Sequence, residues 1–145
     1  VSDRKSKGLV YDDVLRNIKR FRARLQAQKQ ATDLFGVEVS HKLSSILGSI
    51  EQTYDGQPLY KSLEEKAAHL LYFVIKDHPF VDGNKRIGSL LFLLYLIQNH
   101  IFYNRRGERK INDTALVALA LLIAESKPAQ KDIMVKLVVN LINRK

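Results

Sequence analysis

The chain has 145 residues and no cysteine. Disulfides and thiolate metal sites are therefore excluded, and a reducing cytoplasm is the expected location. Its leucine-rich run, Leu90 to Ile97, and the longer apolar run Ala115 to Ala124 both fall far short of the roughly 20 residues that cross a bilayer. No secretory signal is read at its start, and no membrane partner is expected. The first residue is Val1 rather than methionine, which reads as a processed product or a domain excised from a longer chain. Few segments alternate with period two, so little sheet is expected. Neither an internal repeat nor a low-complexity segment stands out.

What is present is an ordinary apolar fraction, 46%, in a chain long enough to bury one core. The net charge of +9 admits nucleic acid as a partner. Much of it lies in "RNIKRFRARLQAQK", where bases surround an apolar stripe of Val14, Ile18, Phe21 and Leu25. A solvated helix face has the same pattern. Aromatics do not interleave with the bases as a single-strand binder requires, so nucleic acid is not the favoured partner.

Helical spacing recurs along the chain. Tyr11 to about Lys29 reads as a first helix. Ser40 caps a second, with Leu43, Ile46, Leu47 and Ile50 on one face. "YDGQPLY", residues 54 to 60, breaks that pattern and reads as a loop or short hairpin. "SLEE" at Ser62 to Glu65 is a capping box that opens a helix to about Asp77. A leucine-rich helix starts near Asn84 and is apolar almost all round, which makes it central. "IFYNRRGERKI", residues 101 to 111, offers two short strands around Arg105, Arg106 and Gly107 and is the one credible hairpin. Asn112 or Asp113 caps a helix through Ala124, and Ser126 with Pro128 starts the last one. The expected fold is an all-α bundle around a central apolar helix, with one or two small β-hairpins at 54–60 and 101–111. A single domain is expected over 1–145: an N-terminal helical extension over 1–39, a core over 40–125 and a C-terminal helix over 126–145.

The segment "KDHPFVDGNKRIGS", residues 76 to 89, concentrates polar chemistry at the mouth of the most apolar helix. The first turn of a helix has unpaired N–H groups and a partial positive charge, which attract phosphate. Gly83 removes a side chain there, so an anion can approach the backbone closely. Arg86 can add a bidentate grip on phosphate oxygens. Asp82 is the kind of oxygen ligand that Mg²⁺ uses when it also holds substrate phosphates. Histidine is the side chain best suited to accept a proton at neutral pH, which makes His78 the candidate base. Taken singly, each has a plain structural reading: a packed or surface histidine, turn residues, a surface base. His41, His69 and His100 keep that reading. Nine residues that hold a base, a metal ligand and an anion cradle together argue against it.

The run "HPFVDGNKR", His78 to Arg86, resembles the signature of Fic/Doc proteins, HPFx(D/E)GN(G/K)R, at every specified position. The resemblance is assigned to residues 40 to 125. It implies a Fic-like helical bundle in which the histidine deprotonates a Ser, Thr or Tyr hydroxyl on a target protein. That hydroxyl then attacks a nucleotide phosphate. On this resemblance His78 is the general base, Asp82 holds Mg²⁺, and Gly83, Asn84 and Lys85 belong to the phosphate cradle. Arg86 neutralises developing charge, while Pro79 and Phe80 are structural. ATP is the implied co-substrate, and a hydroxyl-bearing protein the implied partner. The loop with Tyr54, Gly56, Gln57, Leu59 and Tyr60 stands where the family carries a target-binding flap. Backbone donors of Gln57 and Leu59 are expected on its free edge. The alternative is a plain connector whose tyrosines pack on neighbouring helices.

Two positions depart from the family pattern. The longer signature ends in a second arginine, where this chain has Ser89. No match to the regulatory motif (S/T)xxxE(G/N) is present; "SSILGS", Ser44 to Ser49, lacks the glutamate. Inhibition built into the chain is thus not expected; a toxin or regulatory protein whose activity a separate inhibitor protein or domain suppresses is a third reading. The other departure is Lys85, where Fic adenylyltransferases commonly have glycine and the kinase-like toxin Doc has lysine. The expected reaction is adenylylation, with Doc-like transfer of the γ-phosphate as the alternative. A basic nucleic-acid-binding or regulatory domain with a vestigial site is the alternative of another class.

Overall fold

The computed structural model describes Ser2 and residues 4–143. Six helices follow in order: α1 (Tyr11–Ala27), α2 (Lys42–Ile50), α3 (Leu63–Asp77), α4 (Asn84–Gln98), α5 (Asp113–Glu125) and α6 (Lys131–Ile142). Two short strands, β1 (Thr53–Tyr54) and β2 (Gln57–Pro58), pair antiparallel between α2 and α3. The all-α architecture matches the sequence expectation.

The core is shared between two helices. α4 buries Ile87, Leu91, Phe92, Tyr95 and Leu96, while α3 packs against α2, α4, α5 and α6. Gly88 lets the two axes approach, since a Cβ there would lie 3.3 Å from both Val74 and Ile75 of α3. α1 buries Val14 and Ile18 and turns Arg16, Lys19, Arg20 and Arg24 outward. A period of 3.6 residues sorts the two sets to opposite faces.

α3 is opened by Ser62, whose Oγ accepts from the Glu65 N–H at 3.0 Å and donates to the Glu65 carboxylate at 3.0 Å. Buried charges gather at this end of α3. Glu64 accepts from the backbone N–H and hydroxyl of Ser2. Lys66 reaches Ser6 at 2.6 Å and Glu51 at 3.2 Å, and Tyr95 donates to Glu51 at 2.9 Å. Burial, reinforced by Glu51, holds the Tyr95 hydroxyl far above its usual range, so it stays a donor.

Three local expectations change. Ser40 does not cap α2: it turns the chain in the left-handed region at φ 52°, and α2 begins two residues later without a side-chain cap. The preceding Val39 is held extended by its N–H bond to the Pro79 carbonyl, 2.8 Å, so a sharp reversal is required at once. Ser126 closes α5 rather than opening the last helix; its hydroxyl donates to the Ile123 carbonyl at 2.6 Å. The last helix is entered through a 3-10 turn, Pro128–Gln130, whose first N–H proline lacks at no cost. Residues 101–111 keep one isolated bridge, Tyr103 to Arg109. The Asn104 carboxamide oxygen takes the N–H groups of Arg106 and Glu108, both at 2.9 Å, and satisfies donors inside the turn.

α1 ends in a two-bond C-cap: Gln30 N–H bonds Leu25 O at 2.8 Å and Lys29 N–H bonds Gln26 O at 3.0 Å. This Schellman arrangement places Lys29 in the left-handed region, φ 57°, where glycine is the usual occupant. Lys29→Gly is expected to stabilise the fold by about 0.5–1 kcal/mol. Chemical denaturation at constant m-value checks it, and a destabilised variant refutes the strain at this residue.

Candidate active site

The signature turn joins the C-terminus of α3 to the N-terminus of α4. His78 ends α3 in the left-handed region, φ 52° and ψ 63°, and is exposed. That conformation breaks the helix and turns the chain back toward α4. Phe80 is 1% exposed and anchors the turn in the core. Asn84 staples it: the Phe80 N–H donates to Asn84 Oδ1 at 3.0 Å, and Asn84 Nδ2 donates to the Phe80 carbonyl at 2.8 Å. The Asn84 amide, which the family resemblance implies for phosphate binding, thus also closes the turn on its own backbone.

The outer side of the turn is laced to residues 35–39, the connector between α1 and α2. Gly36 N–H bonds the Asp82 carbonyl at 3.0 Å, Val81 N–H bonds the Val37 carbonyl at 2.8 Å, and Val39 N–H bonds the Pro79 carbonyl at 2.8 Å. Phe35 lies beneath, fully buried. The sequence reading placed these residues in an N-terminal extension. The alternation Phe35, Val37, Val39 beside Gly36 is the signal from which a short extended segment was legible.

Gly83 precedes α4 at φ 89°. A Cβ there would stand 2.4 Å from the Phe35 ring, so glycine is demanded from below as well as by any anion above. Having no side chain, it cannot cap α4, and the first-turn N–H groups remain for a ligand. No acidic residue sits in that turn. Lys85 and Arg86 are exposed there. The Arg86 guanidinium lies 4.7 Å from the Phe35 ring centroid and donates to the Gln30 carbonyl at 2.5 Å. Ser89, at the place of the second arginine, folds its hydroxyl back onto the Lys85 carbonyl at 2.9 Å.

Asp82 receives a hydrogen bond from the Thr32 hydroxyl at 2.8 Å. Among the described residues no three His, Cys, Asp or Glu side chains converge on one point. A lone carboxylate fits a hydrated Mg²⁺ whose remaining ligands are waters and phosphates. It would not hold a metal cage of its own.

An open cleft of about 800 Å³ runs between α2 and α3 up to Asp77, next to His78. Ile46 and Phe73 line its apolar part, and His41, Lys42 and Ser45 its polar part. Lys42 ties the two helices by donating to the Asp77 carbonyl at 3.1 Å.

The hairpin of β1 and β2 carries the flap residues. Gly56 sits at its tip with φ 78° and open space around it. Tyr54 is 82% exposed and Leu59 50%, and Gln57 is exposed as well. Tyr60 points the other way and stacks on His69 at 3.8 Å. Burial lowers the His69 pKa against the opposing bond to the Glu65 carbonyl, which favours the neutral ring for stacking. The edge donors differ from expectation. Leu59 N–H bonds the Gln52 carbonyl at 3.0 Å inside the hairpin. With Thr53 opposite Pro58 and Tyr54 opposite Gln57, strand alternation turns the Gln57 N–H inward too. Pro58 has no N–H to offer, so the free donor edge is that of Thr53 on β1.

A profile of the Fic/DOC family matches residues 10–96. No curated protein and no solved structure matches the chain. The family match reaches back through α1 and the connector, ahead of the 40–125 stretch where the signature and the order of elements carry the resemblance. It ends within α4, beyond the whole signature turn. Members of this family are generally enzymes that transfer nucleotide-derived groups to proteins. The chain belongs to the Fic/DOC family.

Proposed function

We propose that the protein transfers AMP from ATP to a Ser, Thr or Tyr hydroxyl of a target protein. One observation carries the reading: an exposed histidine ends α3 six residues before an uncapped, base-flanked start of a buried helix. A proton acceptor and an anion cradle are thus rigidly joined through one short turn. His78 takes the hydroxyl proton as the oxygen bonds the α-phosphorus. The bond from that phosphorus to the β-bridging oxygen breaks, and pyrophosphate leaves. The N–H groups of the first turn of α4 and the Arg86 guanidinium face the charge that grows on the phosphate oxygens. Mg²⁺, held by Asp82 and the phosphates, would supply further charge neutralisation. The flap offers the Thr53 edge for an extended target segment.

Lys85 supports a second reading. An exposed ammonium in the first turn could shift the nucleotide along the cradle and bring the γ-phosphorus to the hydroxyl. Incubation of the protein with Mg²⁺, a cell lysate and ATP labelled at the α- or the γ-phosphate separates the two. Retention of α-label on protein, with the mass increment of AMP, is expected. Retention of γ-label alone overturns adenylylation in favour of phosphorylation.

A further inference from the structure

Resting on the reading of Asp82 as the carboxylate that holds Mg²⁺, we propose that Thr32 is its positioning residue. Thr32 lies fifty residues upstream of Asp82 and outside the signature. The pairing of Gly36 N–H with the Asp82 carbonyl brings the connector alongside the turn. Leu34 N–H then donates to Thr32 Oγ1 at 3.2 Å. That bond fixes the rotamer and uses one lone pair of the hydroxyl. The proton is left to point at its other neighbour, Asp82 Oδ2 at 2.8 Å. A carboxylate can only accept there, so the direction of the bond is unambiguous. It holds one oxygen of Asp82 and leaves the other to a cation. Ligating carboxylates are ordinarily oriented by such outer partners, whose loss weakens metal binding about 10- to 100-fold.

The same connector holds the second charged group of the site. Gln30, two residues before Thr32, takes the Arg86 guanidinium on its carbonyl. Its direction is set by the Schellman cap that ends α1. Residues 30–32 therefore engage the anionic and the cationic side chain of the turn at once. A rigid helix end reaches both through a short segment.

The test is titration of the protein with the α,β-methylene analogue of ATP, with Mg²⁺ and with EDTA, for wild type, Thr32→Val and Thr32→Ser. Valine keeps the branched shape and removes the hydroxyl. In Mg²⁺ the valine variant is expected to bind about 10- to 100-fold more weakly; in EDTA it should match wild type. Serine should restore the magnesium-dependent binding. Equal binding by valine and wild type overturns the role of Thr32 and leaves the metal reading standing. So does a valine loss of the same size in Mg²⁺ and EDTA, which marks a merely structural residue. Failure of serine to restore binding also overturns it. If wild type itself binds no better with Mg²⁺ than without, the metal reading of Asp82 falls, and this inference with it.

Discussion

Replacement of His78 by alanine is expected to lower the rate of target modification by roughly 10²- to 10⁴-fold, the usual contribution of a positioned base. The fold should survive, because the side chain is exposed and the turn is anchored by others. Phe80 fills the core beneath it, and Asn84 closes the turn on both Phe80 backbone groups. The backbone of His78, however, sits at φ 52°, a conformation that alanine adopts at a cost of roughly 1 kcal/mol and glycine adopts freely. His78→Gly thus separates the two roles. It should melt at or above the temperature of the alanine variant and be equally inactive. Activity that returned with glycine would mean that the backbone turn, and not the imidazole, carries the effect. Full activity in both variants would remove His78 from the mechanism.

The signature was legible in the sequence because its chemistry is local. A base, an acid, a glycine and an arginine within nine residues need only one turn to bring them together, and that turn lies at a helix end. The helices were legible for the same reason, since Ser62 and Asn112 announce their caps and the apolar stripe of α1 its buried face. What could not be read were the long-range pairings. Nothing near residue 32 states that its hydroxyl will meet Asp82, because the contact depends on how α1 leads the connector back across the turn. The structural work of Asn84 was hidden in the same way. Its residue type suits a ligand, and that its amide also bonds the backbone four residues earlier is revealed by the folded turn alone. The hairpins were weighed from turn residues. Around Arg105 to Gly107 the expected ladder keeps two backbone bonds, Asn104 N–H to Glu108 O at 2.8 Å and Lys110 N–H to Phe102 O at 2.9 Å, but the Asn104 side chain takes the Glu108 N–H, whereas the Asp55–Gly56 tip forms the paired strands.

Gly83→Ala is expected to cost about 2–4 kcal/mol, more than a surface turn glycine would suggest. Roughly 1 kcal/mol comes from a side chain at φ 89°. A further ~1–3 kcal/mol comes from overpacking, since the new methyl would lie 2.4 and 2.5 Å from two carbons of the Phe35 ring. The ring has little room to yield. Phe21 meets it edge-on at 5.7 Å, and the Arg86 guanidinium covers it at 4.7 Å. Relief can come only from lifting the turn, which would also pull the Asp82 carbonyl from Gly36. For a chain of this size the loss corresponds to a fall in Tm of about 5–15 °C. Nucleotide affinity should fall with it, because the displaced residue begins the turn of α4 proposed to bind the nucleotide phosphates. Phe35→Leu, which shortens the blocking side chain, provides the control. In that background Gly83→Ala should cost only about the backbone term, giving a coupling of roughly 1–3 kcal/mol between the two sites. Thermal unfolding of the four proteins measures it. A Gly83→Ala cost that is the same in both backgrounds would show that Phe35 does not dictate glycine here, and that left-handed geometry alone does.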